Sequence, residues 1–90
     1  MRARVSRPFL IQLKARIAEV LAIAKTFDWD QMPTNEIANY WYMKFKDGFH
    51  DIAKYRELSG EPQSFEEARQ ALQVVMNAGI ARWEIIELGL

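Results

Sequence analysis

The chain has 90 residues, 50% of them hydrophobic, with 12 lysines and arginines balanced by 12 aspartates and glutamates and no cysteine. That length and apolar content set the expectation of one domain, residues 1–90, with a hydrophobic core of its own. The lack of cysteine excludes disulfides, thiolate metal sites and cysteine nucleophiles, and suits a reducing, cytoplasmic setting.

The neutral total hides an asymmetry. Residues 1–25 carry Arg2, Arg4, Arg7, Lys14, Arg16 and Lys25 against Glu19 alone, while the rest of the chain carries six bases against eleven acids. The opening MRARVSRPFLIQLKAR starts as a secretory signal does, with bases leading into Phe9, Leu10 and Ile11. Gln12, Lys14 and Arg16 then interrupt it too early for the apolar region of a signal. No stretch approaches the roughly 18 consecutive apolar residues that span a bilayer. The expectation is a soluble cytoplasmic protein in which a basic arm, residues 1–7, precedes an all-α bundle of three to four helices.

The first helix is expected over residues 8–27, with Ser6 as its cap and Pro8 in the first turn, where a missing N–H costs little. Leu10, Leu13, Ile17, Val20, Leu21 and Ala24 share one face at helical spacing. A second stripe, Ile11, Ala15, Ala18 and Ala22, follows the 4, 3, 4 spacing of a packing seam, and its small residues would let another helix approach closely. The stretch DWDQMPTNE breaks the pattern: Pro33 disfavours helix at Met32, and Thr34 is placed to cap a new helix.

The second helix is expected over residues 35–58. Ile37, Trp41, Phe45, Phe49 and Ile52 keep one phase through Gly48, which predicts a single helix, bent at Asp47-Gly48, over two short ones. Ser64 with Glu67 three residues on has the form of a capping box opening a third helix. Phe65, Ala68, Leu72, Val75 and Met76 mark its core face, and Gly79 reads as its stop. Residues 80–88 then read as a fourth short helix, with a short strand as the alternative, since Ile85, Ile86 and Leu88 fit either.

Within residues 39–50, NYWYMKFKDGFH, the helical phase assigns Trp41, Phe45 and Phe49 to the core, with Tyr42 at its margin. Tyr40 and Met43 fall outside that face and are neighbours at i, i+3, a rigid amphipathic ring beside an adaptable side chain, which suits an interface anchor. Lys44 and Lys46 interleave with the rings as in a single-strand nucleic-acid platform, but the core needs the same rings and Asp47 and Asp51 cancel the charge.

No catalytic, cofactor or metal set can be assembled. His50 has Asp47 and Asp51 nearby, two ligand types without a third. Asp28 and Asp30 begin like a calcium loop, but Met32 and Pro33 stand where an oxygen ligand and glycine are required. The pairs Glu66 with Glu67 and Glu84 with Glu87 come with no nucleophile or orienting group, and the four glycines are too scattered for a phosphate loop. The chain is therefore expected to be non-enzymatic, with no small-molecule substrate.

Function is expected through protein association, with a second copy or a larger partner, using Ile11, Ala15, Ala18, Ala22, Tyr40 and Met43. The alternative is a nucleic-acid accessory role, with Arg2, Arg4, Arg7, Lys14 and Arg16 reaching phosphates.

Overall fold

In the computed structural model, which describes residues 7–88 and all of their side chains but that of Leu88, the chain forms a small all-α bundle. Helix α1 spans Arg7–Lys25, a short 3₁₀ turn spans Trp29–Gln31, α2 spans Asn35–Ser59 and α3 spans Glu66–Leu88. Arg2, Arg4 and the expected cap Ser6 lie outside the described residues.

The apolar stripe of α1 packs as its spacing requires. Leu13, Ile17 and Ala24 are buried, with Leu10, Val20 and Leu21 packed against the same core. The helix ends at Lys25, and the amides of Thr26 and Phe27 still donate back to the carbonyls of Ile23 and Ala24, at 3.3 and 3.4 Å. Asp28 then caps the 3₁₀ turn, its carboxylate accepting from the amide of Asp30 at 2.9 Å.

Thr34 caps α2, its hydroxyl oxygen accepting from the amide of Ile37 at 3.2 Å. As the common phase predicted, α2 is one helix, uninterrupted at Gly48. A side chain at Gly48 would set a β-carbon 2.6 Å from Val20 Cγ1, so the glycine lets Val20 of α1 pack on the bare backbone of α2. Asp51 accepts an ion pair from Arg16 at 3.1 Å on the same flank. These two contacts fix an antiparallel register in which α1 ends near the level of Met43. Ile37, expected in the core, is consequently 40% exposed: its helix runs on where α1 has stopped.

Two expectations about α3 are corrected. Gly79 does not stop it, and residues 80–88 are neither a separate helix nor a strand but its last turns. The glycine answers a packing demand instead: a β-carbon there would lie 2.5 Å from Cζ2 of Trp29, whose indole N–H donates to the carbonyl of Val75 at 2.9 Å. The Ser64 capping box does not form either. The Ser64 hydroxyl donates to Glu61 Oε1 at 2.8 Å, and Phe65, at φ 62, turns the chain into a helix that begins at Glu66. That left-handed backbone is unusual for a bulky residue, and it sets the Phe65 ring edge-on to Tyr55 with centroids 5.0 Å apart.

Glu66 takes over the role expected of the box. Its carboxylate accepts from Arg69 at 2.7 and 3.1 Å, from Arg56 at 2.9 Å and from Gln70 at 3.0 Å, while Arg56 Nε also donates to the carbonyl of Ser64 at 2.8 Å. One carboxylate thus ties the start of α3 to the end of α2. Gly60 completes the turn at φ 73, its amide donating to the carbonyl of Arg56 at 3.0 Å.

The core runs between the three helices, with Leu13, Ile17, Phe45, Ile52 and Leu72 its largest fully buried side chains. Phe45 sits at one end of it among Phe27, Trp29 and Trp41, with ring centroids 4.9 to 6.2 Å away. The aromatic surplus of residues 39–50 is therefore largely spent on packing.

These contacts can be tested at two points. Alanine favours a helix over glycine by about 1 kcal/mol, yet Gly79→Ala is expected to destabilise the protein by about 1–3 kcal/mol in urea unfolding, because it displaces the Trp29 ring. The second point concerns acid. Hydrogen bonds from Arg69, Arg56 and Gln70 hold the Glu66 carboxyl down from its ordinary 4.5 to about 2. A folded-state value below the unfolded one makes this contribution complete above about pH 4.5 and lost as the pH falls toward about 2. Asp51 acts in the opposite sense, since burial raises its carboxyl more than Arg16 lowers it. The difference between wild type and Glu66→Gln isolates the first effect: thermal denaturation should show a gap at pH 7 that closes through that window.

Candidate functional site

Past the end of α1 the fold leaves something over. The first two turns of α2 and the last turns of α3 face one another across a cleft of about 580 Å³, lined chiefly by Trp29, Met32, Tyr42, Ile80, Trp83 and Ile86. Helical phase explains why these residues converge. Ala68, Leu72, Val75 and Gly79 form the core face of α3, and Trp83 and Ile86 continue it at i+4 and i+7 from Gly79. Below Gly79 that face meets the other helices; above it Trp83 remains 45% exposed, and Ile80, Ile85 and Ile86 are exposed with it.

The connector holds one wall in place. The Trp29 ring lies against Gly79 and meets Phe27 edge-on, with centroids 4.7 Å apart. Across the same junction the Arg82 guanidinium pairs with Asp30 at 2.7 Å. Both ends of that pair are well exposed, so its worth is small, at most about 1 kcal/mol. Its effect is chiefly on charge. The segments that build the cleft, residues 26–42 and 79–88, carry Asp28, Asp30, Glu36, Glu84 and Glu87, and against them only Arg82, already committed to Asp30. Of these charged residues only Glu36 and Arg82 line the cleft itself.

The residues singled out from sequence are elsewhere. Ile11 is 59% exposed, and Ala15, Ala18 and Ala22 are exposed beside it, so the chain itself does not cover this seam. Tyr40, 54% exposed, stacks edge-on against Trp41 with Lys44 Nζ 5.3 Å from its ring centre. It borders a second, smaller depression between α1 and α2, lined also by Arg16, Glu19 and Ile23. Met43 is exposed but outside that depression, as are the seam residues. The six expected interface residues are thus exposed without forming one continuous surface.

Among the bases proposed for phosphate contact, Arg7 and Lys14 are exposed on α1, and Arg16 is engaged by Asp51. His50 is exposed, and among the described residues no three His, Cys, Asp or Glu side chains are grouped to hold a metal ion. None of the described helices is long and apolar enough to cross a membrane.

Sequence reasoning missed the cleft. Its signal was present in the phase of Trp83 with the preceding core face, but reading Gly79 as a stop cut that face in two. Comparison with protein-family models, curated proteins and solved structures yields no match for the chain.

If the exposed part of the cleft serves something other than folding, Trp83 should be dispensable for stability. Trp83→Ala is expected to change the unfolding free energy by no more than about 1 kcal/mol, whereas Phe45→Ala, emptying a fully buried site, should cost about 3–5 kcal/mol. Chemical denaturation of the two variants side by side checks the contrast.

Proposed function

We propose that the protein is a non-enzymatic association module, working in the cytoplasm, that presents the cleft between the start of α2 and the end of α3 to another polypeptide. The observation that carries this reading is the continuation of the α3 core face through Trp83 and Ile86 beyond the helix that would cover it. Contiguous apolar surface rimmed by polar residues is the ordinary mark of a contact surface, while scattered single residues such as Val74 need no explanation. Trp83 has the character of an anchor, a large ring half out of water whose remaining area would be removed on docking, at roughly 25 cal/mol per Å².

The exposed seam of α1 and the pair Tyr40 and Met43 are secondary surfaces in this reading. Alanines offer little apolar area, and Tyr40 is engaged by Trp41 and Lys44. The nucleic-acid alternative would rest on the basic end of the chain. It draws no support from the cleft, whose lining offers one base, Arg82, already paired with Asp30.

Sedimentation velocity from micromolar to millimolar concentration measures association with a second copy. A photo-crosslinking residue at position 83, compared with one at the exposed polar position 54, measures association with other proteins in cells. Dimers lost in Trp83→Ala, or adducts formed from position 83 and not from 54, are expected. A monomer at every concentration, with equal or no adducts from the two positions, would sink the reading.

A further inference from the structure

We draw no further inference here: the strongest candidate, the apolar cleft between the start of α2 and the end of α3, is an unpartnered face whose lining pairs one carboxylate, Glu36, with one guanidinium, Arg82, and nothing in the structure shows what covers it.

Discussion

The indole of Trp29 occupies the space that a side chain at position 79 would need, and that contact determines where the connector lies. The ring packs on the bare backbone of Gly79 and donates to the carbonyl of Val75 one turn earlier. It thereby draws the segment between α1 and α2 onto α3, the last of the described helices. Phe27 and Phe45 close on it from the other side, edge to face, in the arrangement the aromatic quadrupole favours. Glycine inside a helix costs about 1 kcal/mol relative to alanine. Burying a tryptophan ring and satisfying its N–H offsets that cost, since a buried indole without a partner would forfeit more.

With the connector seated in this way, the unequal lengths of the helices become visible at the surface. Helix α1 has 19 residues, α2 has 25 and α3 has 23. The register set by Val20 on Gly48 and Arg16 on Asp51 places the surplus of α2 at its start, and the antiparallel α3 matches it with its own last turns. An overhang of this kind needs polar residues if water is its only neighbour. The overhang of α3 instead carries Ile80, Trp83, Ile85 and Ile86, all exposed. Stability gives no reason for them, because the core closes with Phe45, Leu72 and Val75 below.

Much of the fold was readable from residue spacing, and the failures share a cause. The core faces of α1 and α3, the cap at Thr34 and the continuity of α2 through Gly48 are local patterns, set by helical phase and capping chemistry within a few residues. Gly79, Ser64 and Ile37 were misread because their roles depend on distant partners: Trp29 for the glycine, Glu61 and the arginines around Glu66 for the serine, and the end of α1 for the isoleucine. Periodicity assigns a residue to a face but carries no information on whether another helix extends far enough to cover it. The cleft lies where three such long-range facts meet, so the six interface residues picked by spacing alone fall outside it.

Charge is unevenly distributed along the chain. The bases of residues 1–25 and the acids of the remaining chain cancel in the total, yet an antiparallel bundle keeps the start of α1 and the end of α3 at opposite ends. With a screening length of about 8 Å at physiological ionic strength, the bases at the start of α1 do not neutralise Glu84 and Glu87 near the end of α3. The cleft's lining holds one carboxylate, Glu36, and one guanidinium, Arg82, so apolar contacts rather than net charge would determine how long a partner stays. The cleft brings exposed Ile80, Trp83 and Ile86 together in one concave surface, whereas the alanine seam offers little apolar area, and that distinguishes the cleft as the place where association would be held.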